Sequence, residues 1–253
     1  MIYAIPSYKR AEKQETLEFL RRMEVDPAQI YIFVQTKEDY VLYSERYSEE
    51  CTIIFNVADS VSVARNNILN YFNGKDNLMM FDDDVSVFSV GSKNRKFIDV
   101  QSGDEFRNVV EKMFSTTYAL HGYMFGLYPV YNEFFMSDDI STKVTVNTVL
   151  GFPKGFSLRF NDSWRAKEDI ELCGRILSSG GRVIRFNNIA FKAKHRTNPG
   201  GAYDAWHSGI NELLSRDLEM IYPDVFKVKS NNPNEVRVIL KDEKKRGISW
   251  KKI

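Results

Sequence analysis

Three consecutive carboxylates, Asp82-Asp83-Asp84, follow directly on the apolar run Leu78-Met-Met-Phe81. Adjacent like charges repel, so the triplet calls for a cation or strong hydrogen bonds to hold it. Hard divalent cations, Mg2+ or Mn2+, take oxygen ligands and often keep one or two carboxylates beside substrate phosphates. If β geometry continues past Phe81, Asp82 and Asp84 point to the same side and can work on one metal. The competing reading is a solvated acidic turn. Its place just past an apolar strand favours the metal.

Cationic and aromatic residues lie within reach of such a centre. In Pro6-Ser-Tyr-Lys-Arg10, Tyr8 can stack on a base and Arg10 can pair with a phosphate. Ser62-Val-Ala-Arg-Asn-Asn67 opens a helical stretch, and a helix N-terminus with Arg65 nearby is a natural anion site. Lys167-Glu168-Asp169 opens another. A carboxylate there can take a proton from an acceptor hydroxyl, or merely match the helix dipole. His195 ends a strand-like stretch and precedes Arg196-Thr-Asn-Pro-Gly-Gly201, where Gly200 and Gly201 allow backbone amides close to a diphosphate. A lone histidine is more often structural than a ligand. Ser137-Asp138-Asp139 reads as a solvated loop or an acceptor-side contact rather than a second metal site.

The elements that must position these groups show in the hydrophobic pattern. Ile2–Ile5, Ile30–Val34, Thr52–Phe55 and Leu78–Phe81 are continuous β-prone runs. Between them, 13–23, 40–47 and 63–72 carry apolar residues at helical spacing. Apolar strands separated by helices predict a mostly parallel sheet covered on both faces. Ligands bind at the carboxyl ends of such strands. The Pro6–Arg10 loop, the loop after Phe55 and the acid triplet therefore meet on one rim. Further on, the pattern predicts helices over 104–120, 166–178 and 205–222. It predicts strands over 123–131, 143–150 and 183–193, with Gly151, Pro153 and Gly155 as breakers.

A chain of 253 residues, 43% hydrophobic and 27% charged, suits one globular domain and excludes disorder and coiled coil. The balance of 35 Lys+Arg against 34 Asp+Glu leaves +1, too little for a protein that coats DNA. Contact through a local patch stays open: Lys93-Asn-Arg-Lys96, the basic tail 241–253, and Trp164 and Trp206 as exposed aromatics. Cys51 and Cys173 read as two buried thiols of a reducing compartment. No apolar run approaches a membrane span, and the start is no signal peptide, so a cytoplasmic protein is expected.

With its Pro-x-Tyr-x-Arg turn (Pro6, Tyr8, Arg10), its Asp-x-Asp within Asp82–Asp84 and its Glu168-Asp169 pair, the chain resembles GT-A fold glycosyltransferases over roughly residues 1–200. The wider pattern of IPSYKR, FDDDV, KEDIEL and HRTNPGG is similar to the TET-associated glycosyltransferases of bacteriophages. The resemblance implies a single GT-A-like, Rossmann-like α/β domain over 1–240. Its nucleotide-sugar half would be 1–90 and its acceptor half 91–240. It implies Mn2+ or Mg2+ on Asp82, Asp84 and His195. It implies a nucleotide-sugar donor, such as a UDP-sugar, on Pro6, Tyr8, Arg10, Arg65, Asp82, Asp83, Gly200 and Gly201. Asp169, or else Glu168, would be the general base. The implied reaction is hexosyl or pentosyl transfer to a hydroxyl, on 5-hydroxymethylpyrimidines of phage DNA in the host cytoplasm. A glycan or protein acceptor, or a metal-dependent nucleotidyltransferase, is the alternative.

Overall fold

The first strand, β1 (Ile2–Ser7), shows how the sequence builds two cores at once. Successive strand side chains leave a sheet on opposite faces. Tyr3 and Ile5 accordingly enter one apolar cluster and Ala4 the other. β2 (Ile30–Val34), β4 (Leu78–Phe81) and β7 (Met124–Tyr128) divide the same way, with Ile32, Met79 and Phe125 on the first face. Phe33, Met80 and Met124 lie on the second. The structure is a computed structural model describing residues 1–91, 96–132, 134, 140–193 and 209–241.

Helices cover both faces. α1 (Glu15–Arg22), α2 (Lys37–Tyr47) and α4 (Gly103–Ala119) supply Phe19, Tyr43 and Phe106 to the first cluster. α3 (Val61–Phe72), α5 (Glu168–Ser178) and α6 (Ile210–Ile221) supply Ile68, Leu172 and Leu218 to the second. The remaining strands are β3 (Thr52–Phe55), β5 (Val85–Gly91), β6 (Phe97–Asp99), β8 (Ile140–Ser141), β9 (Val149–Phe152) and β10 (Val183–Ala193). The ten-stranded sheet runs β3-β2-β1-β4-β9-β7-β10-β5-β6, with β8 against β10. β3, β2, β1 and β4 are parallel to one another, as β7 and β10 are, while β9 runs antiparallel between β4 and β7. The expected α/β sheet with helices on both faces is therefore present. β11 (Phe226–Lys229) and β12 (Asn232–Val238) form a separate hairpin.

Several expected boundaries move. β1 runs through Pro6 to Ser7, and α5 starts at Glu168 instead of 166. The strand expected over 143–150 is instead Val149–Phe152, and Gly151 lies inside it. A Cβ at Gly151 would fall 2.0 Å from the Phe125 ring, so this glycine admits an aromatic face and does not break the strand. Trp164, expected at the surface, is buried in the second cluster. Cys51 and Cys173 are free and buried, as expected. Residues 93–95, Trp206 and 242–253 of the basic tail lie outside the described residues. No helix among the described residues is long and apolar enough to cross a membrane.

Candidate active site

The acid triplet does not continue the strand. β4 and β5 flank it yet are not neighbours, since β9, β7 and β10 lie between them in the sheet. The connecting residues must turn, and buried Thr16 of α1 pins that turn. Its hydroxyl donates to the Asp82 carbonyl at 2.6 Å and accepts the Val85 amide at 2.9 Å. The three carboxylates consequently part company, correcting the expectation that Asp82 and Asp84 share a strand face. Asp82 turns to Arg65, with Oδ1 3.0 Å from the guanidinium. Asp83 and Asp84 turn to Arg10, at 3.0 and 3.9 Å.

Arg10 is placed by the loop after β1. Lys9 takes a left-handed conformation (φ 55°), and its amide donates to Asp39 Oδ2 at 3.1 Å. Asp39 sits in the first turn of α2, whose N-cap Thr36 accepts its amide. The Arg10 amide donates to the Tyr43 hydroxyl at 3.2 Å. Beneath lies a buried relay. Gln14 Nε2 donates to Tyr43 Oη at 2.9 Å and Ser7 Oγ at 2.7 Å, and Ser7 Oγ donates to Asp83 Oδ2 at 2.6 Å. Ser7 has one proton and gives it to Asp83, so Tyr43 donates to Ser7 across their 2.8 Å contact.

Burial pushes the Asp83 carboxyl up to about 6 from 3.8, although the Ser7 bond and Arg10 oppose the rise. The folded state therefore holds a proton that the unfolded chain has already released between those values. Its contribution to stability is present below the unfolded value and is lost as pH rises through the folded one. In chelator-treated buffer, the melting temperature of the wild type minus that of Asp83→Asn is expected to fall as pH rises from about 4 to about 6. A difference independent of pH would contradict this.

Arg65 joins the acid turn to the far end of the chain. Ser60 caps α3 by accepting the Val63 amide, and Arg65 lies one turn in with only 4% of its surface exposed. Its guanidinium is 2.6 Å from Glu168 Oε1, 3.0 Å from Asp82 Oδ1 and 3.7 Å from Asp169 Oδ2, and stacks over Phe160 at 5.7 Å. Burial alone would lower its pKa, but Glu168, Asp82 and Asp169 outweigh that and raise it. Burial raises both Glu168 and Asp169 against the pull of Arg65. The next residue, Asn66, holds the approach to α5. It accepts the Phe160 amide at 2.8 Å and donates to the Phe160 carbonyl at 2.9 Å and to Asp162 at 2.6 Å.

The structure thus brings Arg10, Arg65, Asp82, Asp83, Asp84, Glu168 and Asp169 into one linked set. Tyr8 stands beside it, 43% exposed, with Lys9 Nζ 4.8 Å from its ring, and Pro6 pairs with Phe33 in the sheet. Arg65, expected beside an anion site at the start of a helix, is buried under carboxylates that take up its charge. Gly200, Gly201, His195 and the pair Asp138-Asp139 lie outside the described residues. Among the described residues, no three His, Cys, Asp or Glu side chains are grouped to hold a metal. Asp82 and Asp84 carry the kind of oxygen donors that hard cations take, but they face different arginines. Asp82 keeps 35% of its side chain exposed. Water and phosphate would supply the remaining ligands.

The roles of Thr16, Gln14, Ser7 and Tyr43 emerge only from the fold. The signal for Thr16 was its place four and seven residues before Leu20 and Met23, on the inward face of α1. A polar residue on an apolar stripe has to find a partner.

A family model described as TET-Associated Glycosyltransferase matches residues 1–201. Among solved structures, a CMP:2-keto-3-deoxy-manno-octonic acid synthetase complexed with CTP is similar at 11% identity and a TM-score of 0.46, over 85% of this chain and 98% of its own. An apo UDP-glucose pyrophosphorylase is similar at 11% identity and a TM-score of 0.44, over 86% of this chain and 100% of its own. No curated protein matches the sequence.

Proposed function

Since this chain belongs to the TET-associated glycosyltransferase family, we propose that it moves a sugar from a nucleotide-sugar donor to the hydroxyl of a hydroxymethylated pyrimidine in DNA. The observation that carries this reading is the Arg65 guanidinium, which ties Asp82 of the acid turn to Glu168 and Asp169 at the start of α5. Donor-side and acceptor-side carboxylates thereby stand one side chain apart. Tyr8 offers an exposed ring to the donor base. Asp169 takes the proton of the acceptor hydroxyl as its oxygen bonds to the anomeric carbon and the bond to the diphosphate breaks. Mn2+ or Mg2+ held by Asp82 and Asp84 would neutralise charge on that leaving group. Arg65 keeps the carboxylates together and charged, and Arg10 lends positive charge at the rim.

Mass spectrometry of hydroxymethylated DNA, incubated with the protein, Mn2+ and a panel of nucleotide sugars, tests the reading. A hexose or pentose increment is expected. No increment with any donor removes DNA as the acceptor, and pyrophosphate released from a nucleoside triphosphate and a sugar phosphate would mark a nucleotidyltransferase instead. Asp84→Asn keeps the side-chain shape but removes one charged ligand. Calorimetry should show it losing the Mn2+-dependent part of donor affinity, and retained dependence would contradict the assignment.

A further inference from the structure

We propose that α6 and the β11–β12 hairpin, which lie beyond the residues matched by the family model, position Glu168 and Asp169 for the reaction through the side chain of Lys167. The inference rests on reading those two carboxylates as the acceptor-side pair, and the geometry is as follows.

Lys167 is the residue before α5, and its backbone is left-handed (φ 58°), with no side-chain cap on the helix. A side-chain-bearing residue stays in that conformation only where its surroundings hold it. Here the holding groups come from the C-terminal unit. Lys167 Nζ donates to the hydroxyl of Ser215, fully buried on α6, and to the carbonyl of Asn234 on β12. Burial draws the ammonium down to about 8, with Glu235 and Asp169 opposing the fall.

The contact continues along one face of α5. Lys167, Glu171 and Gly174 are spaced four and three apart, so they stack on the same side of the helix. Glu171 Oε1 accepts the Tyr222 hydroxyl at 2.8 Å. A Cβ on Gly174 would lie 2.5 Å from the Phe226 ring, so the glycine is what lets that ring reach the helix. Glu168, one residue on from the tether, makes the 2.6 Å contact with Arg65. A shift of the Lys167 backbone therefore passes straight to the carboxylates.

The test compares Lys167→Met with Tyr222→Phe. Both loosen the same unit, but the second acts one turn farther from the carboxylates. Lys167→Met is expected to lower kcat by about ten- to a hundredfold with the donor KM unchanged, and to speed amide exchange over 168–171. Tyr222→Phe is expected to keep kcat while losing a comparable part of the melting temperature. Two results would overturn the proposal: Lys167→Met melting lower with kcat and exchange over 168–171 unchanged, or both variants losing kcat equally. If the wild type transfers no sugar from any donor, the reading of the site fails. Exchange over 168–171 then still decides whether Lys167 holds the start of α5.

Discussion

Arg65→Met is expected to cost about 3–5 kcal/mol of folding stability near neutral pH and to abolish turnover. The guanidinium is 5% exposed and meets Glu168, Asp82 and Asp169 within 3.7 Å. Methionine fills much of the same space, so the loss is chiefly electrostatic: buried carboxylates are left facing one another. Breaking a buried ion pair costs more than the pair itself contributes, because the remaining charge has no water around it. The sign with pH follows. Glu168 and Asp169 are already raised by burial, and without Arg65 they rise further and take up protons. The deficit should therefore shrink as pH falls into the carboxylate range. Urea unfolding of both proteins at neutral and acid pH measures it. A loss under about 1 kcal/mol at neutral pH, as for an exposed pair, would refute the role of Arg65 as the hub.

Asp169→Asn should leave donor affinity intact and slow transfer by about 10²–10⁴-fold, the usual contribution of a general base. The two carboxylates at the head of α5 differ in a way that divides their tasks. Glu168 is bound closely to Arg65 at 2.6 Å with a 6% exposed side chain. Asp169 stands 3.7 Å from Arg65 and is 14% exposed, with Oδ1 accepting the Ile170 amide at 2.7 Å. The looser, more open group is the one able to receive a proton. Burial raises both carboxyls, so exposure and distance from Arg65 are what divide them. Glu168→Gln should instead weaken the hold on Arg65 and lower stability along with rate. Single-turnover transfer alongside donor titration separates the two. Unchanged turnover in Asp169→Asn would move the base to Glu168.

How much of this was legible beforehand depends on the range of the interaction involved. The runs IYIFV and LMMF announced buried strands, because apolar continuity is a local property that any sheet covered on both faces demands. From those strands followed the rim, the acid triplet upon it and the loop carrying Tyr8 and Arg10. Gly151 misled because a glycine between apolar residues reads as a stop until the Phe125 ring opposite is known. Gln14 and Thr16 were hidden by side chains that are polar in composition yet buried in place.

The sequence alone singled out residues whose types could bear chemistry and the end of the sheet expected to gather them, since both follow from residue type and short-range periodicity. Only the tertiary structure decided which cation meets which carboxylate. Arg65 and Glu168 are separated by 103 positions, and Arg10 and Asp83 belong to different strand–loop units. Ion pairs of that span depend on where a turn is forced and which helix face is buried. The packing of the whole chain sets both.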